Sequence, residues 1–447
     1  MLVALVAVAI LAWLCRHAAL HWGAGSKIWA CGNVTLLGPL LRGERQALPK
    51  RVGDVLRAML AVSQMRGAQS GGGAIQIAQG SVARQVIAKY VNPKRADLAS
   101  RLTRKLQGAV GSKPAWAGNY LVQTHVRYAT AGMTTREEAH PFRYVDVSAR
   151  GLRRVTRWVN GRPQVELRAI ETALTHNGDM DGLRFRGVAI EYPELGAFLE
   201  HVLGVPNRWH GDSPQLAAAI ELFLTRGMWR ESLRLAFYLS MAPPPPNFSA
   251  LPRVGSSAER RREVARALGS YPRLSDSELA NWEATLEQLL DQVVSSFATP
   301  VGPEQRVFRQ RLIEAVQQYF ASTTHPLLAS ERVPAFTRAL VSAFFDNDLY
   351  IAVRRLEPGL LGTFGCVVSS TLEPGSVVCF ARGQPLSLGF DRETNMLAIA
   401  SERAALKVRS SAGLAMFDKR LDLDLCGGEI ARATVDEGGE LRFTLYG

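Results

Sequence analysis

CGNVTLLG, residues 31–38, sets a cysteine directly ahead of an apolar run in which Val34, Leu36 and Leu37 read as a first buried strand. The next periodic stretch is RVGDVLRAMLAVSQM, Arg51 to Met65, with Val52, Val55, Leu56, Met59, Leu60 and Val62 on one helical stripe. It closes on Arg66-Gly67. The glycines of Ser70-Gly71-Gly72-Gly73 are expected to break the helix before AIQIA returns to strand character, which makes a first unit of βαβ type.

Further out, Asn119 to Thr124, Phe142 to Val147, Ala173 to His176 and Val188 to Ile190 supply short strand-like pieces. The interval between Ile75 and Tyr120 is basic and partly helical, and its pattern assigns no definite element. From Gly211, GDSPQLAAAIELFLTRG reads as a capped helix with Asp212 or Ser213 at the N-cap and Pro214 in the first turn. Pro243 to Pro246 marks a linker. Helices are expected at Ala258 to Leu268, Ser275 to Phe297, Glu304 to Phe320 and Pro334 to Phe345, with no strand between them. Strand character resumes from Gly362 through GTFGCVVSS, SVVCFAR, LSLGF, MLAIAS, LDLDLCGGEIARATV and ELRFTLY.

A chain of 447 residues with 47% hydrophobic and 21% charged residues is globular and long enough for two or three domains or one large domain with an insertion. The net charge of +13 would suit an anionic partner, yet Lys and Arg are scattered among apolar and acidic positions. No zinc-finger spacing or basic stripe interleaved with aromatics occurs, so no nucleic acid is expected. Cys15, Cys31, Cys366, Cys379 and Cys426 form no CxxC pair, and the last three sit in strand-like segments as small core residues. A reducing compartment fits that usage. The dispersed histidines offer no metal-ligand spacing.

The N-terminus opens on MLVALVAVAILAWL, Met1 to Leu14, followed by Cys15-Arg16-His17. A spanning helix needs about 20 mostly apolar residues, so this segment spans only if it extends through Trp22 with Arg16 and His17 near one end. Three readings stand open: a membrane anchor, a removable leader, and a misplaced start or buried first helix. Arg16, Lys27, Arg42 and Arg45 all follow the run, and by the positive-inside bias an anchor would leave the rest of the chain in the cytoplasm.

Three segments downstream of Cys31 add to the opening motif: RGAQSGG (Arg66 to Gly72), HVRYATAG (His125 to Gly132) and HNGD (His176 to Asp179). Together the four resemble the class II glutamine amidotransferase domain, the N-terminal-nucleophile domain of amidophosphoribosyltransferases and glucosamine-6-phosphate synthases. LGTFGCVVSS, ARGQPLSLGF, MLAIASERAAL and LCGGEIARAT look like that domain's second half. The resemblance covers Cys31 to about Leu224 and Tyr350 to Tyr446, and it implies a mixed α+β fold, a four-layer αββα sandwich. The expected organisation is an anchor or leader at 1–30, the first part of the domain at 31–228, a helical insertion at 229–348 and the second part at 349–447.

The resemblance also assigns roles. Cys31 is the nucleophile that attacks the side-chain amide of L-glutamine. Asn177 and Gly178 correspond to the oxyanion pair, an asparagine side chain and a glycine backbone N–H, although Asn-Gly by itself is a common turn dipeptide. Arg127 corresponds to the arginine that holds the α-carboxylate, a task suited to a planar bidentate donor. Thr130 matches the substrate-binding motif. Asp212 corresponds to the partner of the α-ammonium, though the family continues Asp-Thr/Ser-Glu where this chain has Asp-Ser-Pro-Gln. Arg66, Gly67, Tyr128 and His140 are architectural neighbours of the site. No metal and no cofactor is implied.

In that family the cysteine begins the mature chain, and here thirty residues precede it. A thiol has a pKa of about 8.5 and a terminal α-amine about 8, so an N-terminal cysteine carries its own base beside its sulfur, whereas an amide nitrogen cannot take the proton. Activity therefore requires a cut between Ala30 and Cys31. No sugar-isomerase domain, phosphoribosyl-pyrophosphate signature or phosphate-binding GxxxxGK[ST] follows. The expected function is a glutaminase half that supplies ammonia to an unidentified acceptor or partner protein. The alternative is an inactive membrane-tethered scaffold, associated through residues 1–22, that keeps the fold and binds glutamine.

Overall fold

Val34 and Leu36 point to one side of β1 (Gly32–Pro39), Thr35 and Leu37 to the other, and all four are buried, so this strand lies in a sheet covered on both faces. The computed structural model describes residues 31–447 except Arg66, 93–96, 129–134, 146–151, Pro193, 206–210, 252–256, 410–415, 424–427 and Gly447. The expectations for the segment 1–30, Arg66, Thr130, Cys15 and Cys426 lie outside the described residues. Among the described residues no helix is long and apolar enough to cross a membrane.

The chain continues through α1 (Lys50–Ser63), β2 (Ser70–Gln79), β3 (Val82–Val91), α2 (Leu98–Val110), β4 (Asn119–Arg127), β5 (Phe142–Val145), β6 (Arg153–Val159), β7 (Arg162–Arg168), β8 (Glu171–Phe185) and β9 (Val188–Glu191). Helices then follow one another: α3 (Glu194–Leu203), α4 (Asp212–Phe223), α5 (Trp229–Ala236), α6 (Ser257–Leu268), α7 (Asp276–Ser295), α8 (Arg306–Ser322), α9 (Val333–Asp346) and α10 (Leu349–Leu356). Strands close the chain: β10 (Leu360–Ser370), β11 (Ser376–Arg382), β12 (Leu386–Asp391), β13 (Met396–Ala400), β14 (Lys419–Leu423), β15 (Glu429–Val435) and β16 (Leu441–Tyr446). The protein is mixed α+β with antiparallel sheets. One sheet runs β14-β12-β13-β1-β4-β2-β3; a second runs β16-β15-β11-β10-β8-β5 with β9 beside β8; β6 and β7 pair as a ribbon.

Three apolar clusters organise these elements. Leu37, Leu121, Val367, Val377, Leu397 and Ala431 interleave between the two large sheets. Val34, Leu36 and Val122 of the first sheet pack against Leu56, Met59 and Leu102 of α1 and α2. Leu174, Val368 and Phe380 of the second sheet join Leu216 and Ile220 of α4, and that cluster continues through Leu286, Phe308, Phe336 and Val353 of the later helices. Strand alternation sends successive side chains to opposite clusters, which is why the sheets are apolar on both faces. α4 is buried on all sides from Ser213 to Phe223 and carries little amphipathic contrast.

Local signals explain several boundaries. Ser275 and Glu278 form a reciprocal capping box at the start of α7, and Asp348 accepts from the Ile351 N–H at the start of α10. Two expectations are corrected. The 71–73 glycines do not break the chain before a strand; they lie inside β2, where a Cβ would meet the His125 carbonyl oxygen at 2.8 Å from Gly71 and Thr124 Cγ2 at 2.8 Å from Gly73. The helix at Asp212 has Gly211 at its N-cap, and Asp212 is its first residue, with its carboxylate accepting from the Met180 and Ser213 N–H groups. The βαβ unit of β1, α1 and β2 forms with β4 inserted antiparallel between its two strands.

The ribbon β6–β7 went unread in the sequence although Asn160-Gly161 sits at its turn with φ of 51° and 73°. That dipeptide between strand-like runs is a strong hairpin signal.

Candidate active site

β1 enters the first sheet immediately after Cys31, and Gly32 is already paired with Val126 of β4. The half-buried Cys31 thiol therefore lies at the end of β4, where its Sγ donates to the Tyr128 carbonyl oxygen at 3.5 Å. Gly67 underlies the same point. A Cβ there would stand 2.6 Å from the Tyr128 backbone nitrogen, so position 67 needs its glycine to approach β4.

Across from this end, β8 brings His176-Asn177-Gly178-Asp179 alongside β10, with Gly178 opposite Phe364. The dipeptide Asn177-Gly178 is not a turn, since β8 continues through it to Phe185. Gly178 takes a φ of 103°, and a Cβ on it would stand 2.2 Å from the Thr363 carbonyl oxygen, so no other residue fits. The Gly383-Gln384-Pro385-Leu386 turn packs against the same spot through Gln384.

Cys31, Arg127, Tyr128, His140, Gly178 and Asp212 line one cleft of about 620 Å³, together with Glu138, Asp179, Asp181, Tyr192 and Ser213. That volume lies within the usual range for small-molecule sites, about 300–1,000 Å³. Asn177 sits directly behind the wall. Its Oδ1 accepts from His125 Nε2 at 3.0 Å and its Nδ2 donates to Ser401 Oγ at 2.6 Å, while Ser401 Oγ also accepts from the Asn33 N–H at 3.0 Å. This leaves Asn177 with a second amide N–H and a fixed orientation.

Asp212 is held by three donors: the Met180 N–H at 3.0 Å on Oδ2, and the Ser213 N–H at 2.6 Å and Ser213 Oγ at 3.2 Å on Oδ1. Because the Ser213 hydroxyl spends its one proton on Asp212, it accepts from both His176 Nδ1 at 2.9 Å and His140 Nε2 at 3.2 Å, which sets both tautomers. His140 thus belongs to the hydrogen-bond network of Ser213 and Asp212. Arg127 Nη1 pairs with Glu138 Oε2 at 3.2 Å. A ligand carboxylate that takes the guanidinium would share it with Glu138.

No protein-family model and no curated protein matches this chain. Arg127 offers a planar donor for a carboxylate, Asp179, Asp181 and Asp212 surround the cleft with negative charge suited to an ammonium, and Cys31 brings a thiol to its wall. Among the described residues no group of three His, Cys, Asp or Glu side chains is arranged to hold a metal ion.

Sequence reasoning passed over Glu138, Asp181, Tyr192 and the hydroxyls of Ser213 and Ser401. Ser401 carried a signal, since it ends the strand MLAIAS within the second half of the resemblance. Ser213 was visible only as a helix cap, and Glu138 had no signal at all.

The buried histidines make a prediction about pH. Burial holds His125, His140 and His176 below the ordinary imidazole value of 6.5, His125 down to about 3. Between those values the unfolded chain binds more protons than the folded one, so stability is fully present above about pH 6.5 and falls as the pH drops toward 3. For His125 alone the loss between pH 7 and pH 5 is about 2 kcal/mol. Urea midpoints at the two pH values measure it; equal midpoints would sink the assignment of neutral buried imidazoles.

Proposed function

We propose that the chain is a class II glutamine amidotransferase domain that hydrolyses glutamine to glutamate and ammonia. The observation that carries this reading is the convergence of Cys31, Arg127, Gly178 and Asp212, with Asn177 behind them, on one cleft. Arg127 takes the α-carboxylate of glutamine and Asp212 its α-ammonium. The Cys31 thiolate attacks the side-chain carbonyl carbon, and the oxyanion receives the second Asn177 N–H and the Gly178 N–H. The amide nitrogen leaves as ammonia after taking the thiol proton from the α-amine of Cys31. Water then cleaves the glutamyl thioester, and the thiol and glutamate are released.

The sequence of helices, sheet, sheet and helices defined by the apolar clusters supports the four-layer sandwich of N-terminal-nucleophile hydrolases. A specific observation favours the second reading. As the gene encodes it, the Cys31 nitrogen is an amide to Ala30 and cannot act as base. The two readings divide on the segment 1–30: removed as a leader it leaves an enzyme, and kept as a tether it leaves a glutamine-binding scaffold whose cleft faces the cytoplasm.

A glutamine-analogue electrophile such as a diazoketone separates them. The natively expressed protein should begin at Cys31 by N-terminal sequencing and gain one adduct per chain on that residue by mass spectrometry. A chain that keeps Met1 and takes no label would reject the enzyme.

A further inference from the structure

The ribbon β6–β7 borders a second cavity of about 290 Å³, open to solvent on one side and lined also by the end of α9, the turn before α5, Pro303 and the residues after β10. This is space for about ten water molecules, enough for a small organic molecule. Arg157 from β6, Arg168 from β7 and Arg226 from the turn line it, and Trp158 and Phe345 form an aromatic wall with ring centroids 5.9 Å apart. The Trp158 indole N–H donates to the Val301 carbonyl oxygen at 2.6 Å, which fixes the ring.

The charges in this cavity are unevenly compensated. The Arg168 side chain is only 7% exposed, and its partners are the Thr371 carbonyl oxygen at 2.8 Å and Glu166 at 3.5 Å. Glu166 also pairs with Arg157 at 3.8 Å, so two guanidiniums share one carboxylate. Arg226 reaches Asp348 at 3.7 Å, but Asp348 is already bound more closely by Arg432 at 2.9 Å. Glu373 is the carboxylate in the cavity wall. Its oxygens accept from the Leu349 N–H at 2.6 Å and from Arg432 at 2.9 Å, and burial raises its pKa to about 7. A desolvated guanidinium beside a like charge is relieved by an anion that it can bind through two N–H groups.

We propose that this cavity binds a small organic anion, a carboxylate or phosphate head on a flat apolar body, with the head on Arg157, Arg168 and Arg226 and the body against Trp158 and Phe345. The cavity is separate from the cleft of Cys31. Leu372 and Glu373 follow the end of β10 at which Ser370 pairs with Thr172, whereas Gly178 pairs with Phe364 six residues along that strand, about 20 Å away. The inference stands whether or not the cleft hydrolyses glutamine.

Titration calorimetry of the full chain with phenyl phosphate and with benzoate tests it. The expected result for at least one of the two is one site per chain with a Kd on the order of 0.1–1 mM. Inorganic phosphate and benzyl alcohol, each lacking one half of the ligand, should bind at least about tenfold more weakly. Arg226→Gln and the double variant Arg157→Gln/Arg226→Gln alter side chains that are more than half exposed, so both should fold, and each should weaken binding by about tenfold or more. Arg127→Gln should leave it unchanged. The proposal is overturned if neither probe binds, if phosphate binds as tightly as phenyl phosphate, if the cavity variants bind normally, or if Arg127→Gln abolishes binding.

Discussion

A chain that begins at Cys31 should release ammonia from glutamine about 10³-fold faster than one that begins at Ala30, because general-base assistance contributes about 10² to 10⁴ and a single added residue removes the base. The added residue converts the α-amine into an amide and changes nothing else that holds the thiol. Gly32 is paired with β4, and Sγ lies against the Tyr128 carbonyl oxygen. Both chains should therefore give the same circular dichroism and the same urea midpoint. Ammonia release, followed in a coupled assay at matched concentrations, is the measurement. Equal rates from the two chains would show that another group takes the thiol proton and would end the mechanism proposed above.

Asn177→Ala should lower kcat for glutamine by about 10² to 10³, the usual loss on removing one oxyanion donor. KM should change little, since in the proposed site Arg127 and Asp212 hold the head group, whereas Asn177 bonds to His125 and Ser401. The same change also has a structural cost. His125 Nε2 and Ser401 Oγ lose their partner in a site where His125 is fully buried, which destabilises by about 1–3 kcal/mol. Ser401→Ala separates the two effects, because it removes the anchor and leaves the donor. It should show a comparable shift in denaturant midpoint and a smaller fall in kcat. A folded Asn177→Ala protein with a kcat within tenfold of the parent would remove Asn177 from the chemistry.

The parts of the fold that were legible in the chain are those written over a few neighbouring residues. The stripe Val52, Val55, Leu56, Met59 and Leu60 gave the helix α1 to within a residue of its start, and Ser275 with Glu278 marked the start of α7 by a bond over three residues. The interval from Ile75 to Tyr120 was opaque because β3 alternates weakly between buried and half-buried residues, while α2 is largely basic on its outer side. The glycines at 71–73 were misread for a related reason. Their local pattern is that of a helix breaker, and the requirement Gly71 and Gly73 satisfy is the close approach of His125 and Thr124 on β4, far away in the sequence.

The site divides in the same way. Residue types and short motifs were enough to nominate a cysteine, an arginine, an Asn-Gly pair and an aspartate for glutamine chemistry. The neighbours that hold them were hidden. Ser213 joins His140, His176 and Asp212 from three separate elements, and Glu138 closes on Arg127 without any sequence signature. The arginines of the second cavity lie on a ribbon and a turn that nothing in the sequence pattern connects.

The sequence by itself determined helices such as α1, α7 and α8 and the closing strands, and nominated the cysteine, arginine, Asn-Gly pair and aspartate of the cleft, because periodicity, capping and motif spacing act within one or two turns of the chain. Only the tertiary structure decided which imidazoles are neutral, which carboxylate guards Arg127 and how Asn177 is aimed. Those properties depend on burial and on bonds such as that from the Asn33 N–H to Ser401, across 368 residues, and such distances leave no periodic trace in the sequence.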